Sequence, residues 1–379
     1  SIQSLMNQSS GYWRDTELLI FLKKEECQDE NADLKEYLQI LKMKNPQIKI
    51  VEYEDSIWKA YDEAVEIITA PYLIYMKDGD AVQPDTLLEA CQAMDSLGDA
   101  TDLSMMDCLY QGKKSGGGIG RLKNADGSVS DNYVRSLDTM DDLEMVPDYW
   151  EAIIWKTETA RQEKFDERHG FEIMVEKIYR ILDKKRTIGM IRNATFLCAS
   201  VSKRSARGNE NNLKPEYYLD ALDAHWTLMS EYYKNKYQEV PLFVQCYLVY
   251  ELIIRLNVNK NQSNQHALNE EQVEQFWKLC HKWLQDIEDP LMIANVRVAN
   301  IGRHVYAMQY LLLNLKYDNQ PDIEYVMTDL KALREKLCSE LGKKEAEKTA
   351  AYKYPVRIKI KGKEQPNVLQ PRPVIDLVN

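Results

Sequence analysis

The sequence predicts an α/β protein, with a doubly wound, mostly parallel sheet followed by an all-helical domain and the start of a β domain. Three observations predict it. Short apolar runs alternate with amphipathic helical stretches from Thr16 to Met106, helical periodicity takes over from Pro215, and strand-like alternation returns past Tyr354. At 379 residues and 44% hydrophobic content, the chain can fill two or three cores. The expected divisions are residues 1–212, 213–350 and 351–379.

Each element follows from its pattern. Ile2, Leu5 and Met6 read as part of a helix, and Glu17 to Leu22 as a strand. A helix through Leu34, Leu38 and Leu41 leads to a strand from Ile48 to Tyr53, and a second helix places Ile57, Ala60, Ala64 and Ile68 together. The apolar run Tyr72 to Met76, bounded by Pro71 and Gly79, reads as a buried central strand. Pro84 belongs in the first turn of a helix through Leu87, Leu88, Cys91 and Met94, with Asp102 to Met106 as the next strand. Residues 107–148 break the alternation. Their Lys113-Lys-Ser-Gly-Gly-Gly-Ile-Gly120 run lacks phosphate-loop spacing and follows no strand directly, so it reads as a surface loop. Strand character returns at Ile188 to Ile191 and Thr195 to Ser200. Beyond Pro215, Tyr218, Leu222, His225 and Met229 share one helical face and Val244, Leu248 and Leu252 another. Helices over 269–286, 291–316 and 322–350 bring the appendage to about five. Val356, Ile358, Ile360 and the closing Val374 run read as the first strands of a further domain. Both ends read as cuts from a longer multidomain chain.

A net charge of −11 opposes a nucleic-acid or membrane-surface binder, because phosphate-rich partners need clustered positive charge. Seven cysteines, without a C-x-x-C pair, suit a reducing cytoplasmic compartment better than a zinc site or a disulfide framework. No eighteen-residue apolar run occurs, so no transmembrane segment is expected; the densest stretch, Val240 to Leu256, is broken by Gln245, Glu251 and Arg255. The five histidines never pair at metal spacing and read as structural or surface groups. Tyr217, Tyr218, Trp226, Tyr232, Tyr233 and Tyr237 read as core or interface, with sugar stacking as their other use.

The chemistry concentrates at Lys77-Asp78-Gly79-Asp80, directly after the central strand. Open α/β sheets bind ligands at the C-terminal ends of their strands. Asp78 and Asp80 could hold magnesium or manganese against a diphosphate, while Asp-Gly is equally a common turn pair. Lys203, Arg204 and Arg207 form the clearest basic cluster in an acidic chain. Guanidinium forks suit phosphate oxygens; a solvated loop is the other reading.

The block from Tyr72 to Pro84 resembles family 2 glycosyltransferases of the GT-A fold, whose strand-end motif reads F-L-D-S-D-D with proline three residues on. Ser1-Ile-Gln-Ser-Leu-Met-Asn-Gln-Ser9 resembles the family's first helix, and Lys164-Phe-Asp-Glu-Arg168 its F-D-E-R segment. The loop at Lys203 and Arg204, with Pro215-Glu-Tyr-Tyr218 and Glu239-Val-Pro241, is similar to the helical extension of bacterial members that build surface polymers, teichoic acid-like or capsular. The resemblance implies sugar transfer from a nucleotide sugar to an acceptor hydroxyl. It implies Asp78 and Asp80 as metal ligands, Lys77, Lys203, Arg204 and Arg207 toward donor phosphates or acceptor, and Asp166 or Glu172 as base. Neighbouring domains of a longer chain are the implied partners, at the cytoplasmic side.

The chain departs from that family at four motifs. The first aspartate of D-S-D-D falls on Lys77, and Leu22-Lys-Lys-Glu25 stands where the family has Asp-Asp-Gly-Ser. Trp58-Lys-Ala-Tyr61-Asp62-Glu-Ala64 replaces S-A-A-R-N-x-G, and the acidic pair that carries the base falls on Ile173 and Met174. Glu172 lies one residue away, about 100° around a helix. Lys77 repels a dication and attracts a diphosphate, so it opposes the metal or replaces it. The substitutions predict weak nucleotide-sugar binding. The rival reading is a catalytically silent module that binds glycan or positions a neighbouring transferase.

Overall fold

The computed structural model describes residues 2–24, 32–110, 113–114, 132–138, 152–169, 172–199, 214–258, 268–287, 316, 358–360 and 363–365. It divides into two compact units, Ser1–Leu137 with Pro147–Lys203, and Asp138–Val146 with Arg204–Asn379.

The first unit is α/β. It opens with α1 (Ile2–Met6) and a 3-10 turn at Ser9–Asp15. β1 (Leu18–Lys23) and β2 (Ile48–Tyr53) pair in parallel, Leu18 opposite Ile48, with α2 (Ala32–Lys44) crossing between them. The helix α3 (Ile57–Ile67) starts at Ser56, whose side chain accepts the N–H groups of Trp58 and Lys59 and so satisfies two donors a helix start leaves open. Ala60, Ala64 and Val65 are its buried face, and the small side chains let the helix lie close on the strands.

A seven-stranded sheet completes the unit: β3 (Tyr72–Ile74), β4 (Ala81–Val82), β5 (Leu103–Tyr110), β6 (Lys113–Lys114), β7 (Tyr133–Ser136), β8 (Ile153–Lys156) and β9 (Thr187–Cys198). Its central order is β3-β8-β5-β9-β4, with β6 on β5 and β7 on β9. Pairing is parallel where helices cross over, at β1–β2 and β5–β9, and antiparallel at the other described pairs. Strand-helix alternation sets direction only for strands joined through a helix. β4 follows β3 through a turn instead, and joins β9 with opposite polarity.

Between β5 and β9 run α5 (Thr157–Gln162) and α6 (Ile173–Lys185). The two strand segments expected at Ile188 and Thr195 are one continuous strand, buried at nearly every position because it has sheet neighbours on both sides. Gly189 sits where β9 passes Ser104 so closely that a Cβ would lie 2.0 Å from the Ser104 Oγ. The helix α4 (Thr86–Leu97) lays Thr86, Leu87, Ala90, Ala93 and Met94 into the core. Pro84 lies just before its N-cap, Asp85, rather than in its first turn. Thr86 Oγ1 instead anchors the helix start by donating to the Thr195 carbonyl at 2.8 Å, and buried Gln8 accepts the Leu87 N–H at 3.0 Å.

The second unit is mainly helical in its described part: α7 (Pro215–Tyr218), α8 (Asp220–Tyr237), α9 (Leu242–Val258) and α10 (Glu270–Leu284). The faces read from the sequence are the buried ones, since Tyr218, Leu222, His225 and Met229 are at most 1% exposed, as are Val244, Leu248 and Leu252. Trp226 stacks on Trp283 with centroids 5.5 Å apart, and Tyr233 is wholly buried, so these aromatics are core. His225 shares a hydrogen bond with the Tyr247 hydroxyl at 3.0 Å, a structural use. Asn269 and Gln272 form a capping box at the start of α10. A short antiparallel pair, β10 (Ile358–Ile360) and β11 (Lys363–Gln365), falls in the stretch expected to open a β domain. The expected helices over 291–316 and 322–350, the triple glycine, and the closing Val374 run lie outside the described residues, apart from Lys113, Lys114 and the helical residue 316. Among the described residues no helix is long and apolar enough to cross a membrane.

Candidate active site

The chain leaves β3 into a turn built by Asp80. Its N–H donates to the Lys77 carbonyl at 3.1 Å, and its Oδ2 accepts the Lys77 N–H at 2.9 Å. Gly79 supplies the positive φ of +84° that the turn requires. Asp80 Oδ1 accepts the Ala199 N–H at 2.9 Å, which ties this turn to the end of β9. Asp80 is therefore buried at 3% exposure, whereas Asp78 is exposed and Lys77 half-buried. The turn reading of Asp-Gly-Asp is thus what the backbone shows. Among the described residues no group of three or more His, Cys, Asp or Glu side chains is placed to hold a metal. With each Asp80 oxygen already bonded to a backbone N–H, Asp78 and Asp80 make only a partial donor set for magnesium or manganese.

An aromatic wall is built around Tyr75, two residues before this turn. Tyr75, buried at the exit of β3, lies 5.1 Å from Tyr61 and 5.4 Å from Trp155 between ring centroids. Phe21, within β1, meets Tyr61 edge-on at 4.6 Å, and Trp58 meets Phe165 at 5.2 Å. Phe165 also lies 6.4 Å from Tyr75, so the F-D-E-R segment and the strand-end turn converge through these two rings. Burial pushes the Tyr61 phenol up to about 12, which keeps this wall neutral at ordinary pH.

Asp62 fixes the segment. Its Oδ2 accepts the Phe165 N–H at 2.9 Å, and its Oδ1 takes the ammonium of Lys177 at 3.2 Å. Lys177, wholly buried on α6, holds its Nζ 3.8 Å from the Phe165 ring centroid. Arg180 donates to the Lys164 carbonyl and pairs with Glu163 at 2.9 Å. Three successive residues before Asp166 are thereby clamped to α3 and α6.

Asp166 itself is 23% exposed. It accepts the Arg168 N–H at 3.1 Å and the Arg168 guanidinium on both carboxylate oxygens, and this raises the Arg168 pKa further. Glu172 is half-buried at the N-cap of α6, with a left-handed backbone at φ 54°. Ile173 and Met174, where the resemblance requires an acidic pair, are core residues at 5% and 1% exposure. The acid that sequence reasoning missed is Glu176, one turn further on and buried against Arg180. Burial pushes its pKa up to about 7 against the pull of Arg180, with Asp166 and Glu163 adding to the rise. Its i+4 spacing from Glu172 was visible; its burial was not. Lys203, Arg204 and Arg207 lie outside the described residues.

This α/β fold is shared by known structures. In particular it is similar to crystal structures of S. aureus TarS. TarS 1–349 in complex with UDP-GlcNAc gives a TM-score of 0.54 at 12% identity, over 97% of this chain and 92% of that one. The complex with UDP gives 0.53 at 11% identity over the same shares. A longer TarS structure gives 0.51 at 12% identity, over 84% of this chain and 50% of that chain. No protein-family profile and no curated protein matches the sequence.

Proposed function

We propose that this chain is a nucleotide-sugar-dependent glycosyltransferase of bacterial surface-polymer synthesis, teichoic acid-like or capsular. The observation that carries the reading is the convergence of two segments through Tyr75 and Phe165, the Lys77–Asp80 turn and the Asp166 segment. The fold likeness to TarS supports it, since that protein was crystallised in complex with UDP and with UDP-GlcNAc.

In this reading the donor diphosphate lies over the turn. Lys77 neutralises it, offsetting charge that grows as the leaving group departs, and Lys203, Arg204 and Arg207 are the basic residues proposed from the sequence for donor phosphates or acceptor. The acceptor hydroxyl oxygen bonds to the anomeric carbon while the bond from that carbon to the diphosphate oxygen breaks. The hydroxyl proton passes to a carboxylate, Asp166 or Glu172, and the nucleoside diphosphate leaves with the bonding electron pair. A dication, where bound, would be held by Asp78 and Asp80 and would supply further charge neutralisation. Their partial donor set gives it no required step. Neighbouring domains of a longer chain would bring the polymer acceptor.

One observation favours the silent-module reading: Ile173 and Met174 are packed into the core where the family places its acids. Incubation with UDP-GlcNAc, followed by measurement of released UDP in the parent and in Asp166→Asn and Glu172→Gln variants, separates the two. Release lost in one variant supports the transferase. Release absent from the parent favours the silent module.

A further inference from the structure

The cysteines among the described residues differ sharply in setting. Cys246 and Cys280 are buried in helices, and burial pushes the Cys246 thiol up to about 12 and Cys280 well above its ordinary value. Cys91 is half-buried on α4 and is also raised by burial. Such thiols are poor nucleophiles. Cys108 and Cys198 are buried as well, but they stand on the neighbouring parallel strands β5 and β9 with their Sγ atoms 2.9 Å apart. Cys108 pairs with Phe196 and Tyr110 with Cys198, so the two cysteines are diagonal neighbours on one face of the sheet. Their sulfurs need to close by less than an ångström to reach the ~2.05 Å of a disulfide.

We propose that Cys108 and Cys198 are a modification site, a dithiol that a disulfide-class oxidant such as oxidised glutathione converts to a cross-strand disulfide. One thiolate attacks a sulfur of the oxidant, forms a mixed disulfide and releases one glutathione. The second thiolate displaces the other glutathione, so the protein loses two electrons and two protons and the oxidant gains them. Cys198, the last residue of β9, is 8% exposed and Cys108 wholly buried, so in this proposal the oxidant meets Cys198 first. The next residue, Ala199, gives its N–H to Asp80. Closing the disulfide therefore pins the backbone that holds the Asp78 turn, whatever reaction that turn serves. The pair is invisible to spacing rules because ninety residues separate its members.

The test uses the whole 379-residue chain. After incubation with oxidised glutathione and alkylation of remaining thiols, the non-reduced peptide map should contain a Cys108–Cys198 linked pair. Its mass should be lower by two hydrogens, and dithiothreitol should reverse the link. Hydrogen exchange at Ala199 should slow in the oxidised protein. Cys108→Ser should abolish the link while keeping the fold by circular dichroism. Alkylation of both cysteines after oxidation, a separate glutathione on each, or a link to a different cysteine would overturn the assignment. Unchanged exchange at Ala199 would overturn the coupling to the turn.

Discussion

Lys177 and Asp62, on helices far apart in sequence, form a buried ion pair at 3.2 Å, and the same carboxylate holds the Phe165 N–H. Lys177 is wholly buried, so its charge costs several kcal/mol unless the partner is in place. Burial accordingly lowers its pKa to about 8 although Asp62 pulls it up.

Removing the partner should therefore hurt more than removing the pair. Asp62→Ala should cost about 3–5 kcal/mol in urea unfolding, because it strands a buried ammonium. Asp62→Ala combined with Lys177→Met should recover at least ~1 kcal/mol of that loss. Strictly additive losses would show that the two groups do not interact.

Glu176 should give the fold a pH signature. Its folded pKa of about 7 lies above the ordinary 4.5, so between those values the folded chain keeps a proton that the unfolded chain has lost. Its contribution is fully present below pH 4.5 and is lost as pH rises toward 7. The parent should lose on the order of 2 kcal/mol across that window relative to Glu176→Gln. Parallel stability curves for the two proteins would contradict the assignment.

Asp78 and Asp80 should separate cleanly. Asp80→Ala leaves the Lys77 and Ala199 N–H groups without their acceptor and should cost about 1–3 kcal/mol. Asp78→Ala, at an exposed position, should change stability by less than about 0.5 kcal/mol. Thermal melts of both variants check this, and equal losses would mean that Asp78 is also structural.

Gly189→Ala tests the contact between β5 and β9. The new Cβ would meet the Ser104 Oγ at 2.0 Å and the Leu97 Cδ1 at 2.9 Å, so overpacking of about 1–3 kcal/mol is expected. Ser104→Gly in the same chain should recover much of the melting temperature. A single variant as stable as the parent would contradict the geometry.

The α/β class, the strand-end position of Asp78 and the buried faces of α7 to α9 were legible because each depends on local periodicity. Direction was less so: the antiparallel entry of β4 depends on a turn that Asp80 closes from 119 residues away, at Ala199. The Asp62–Lys177 pair was hidden for the same reason, spanning 115 residues. In sequence, Asp62 registered only as the loss of a family residue; in the fold it organises the segment that carries Asp166. Glu176 was passed over because its helical spacing resembles that of any solvated acid until burial is known.

Titration of the chain with UDP-GlcNAc by calorimetry, with manganese and with a chelator, tests the central claim most directly. The account predicts saturable binding with a Kd in the millimolar range, weak because several charged contacts of about 1.5–3 kcal/mol each are replaced. Lys77→Ala should weaken it further, and manganese should change it little. No saturable binding under either condition would contradict the assignment as a nucleotide-sugar transferase.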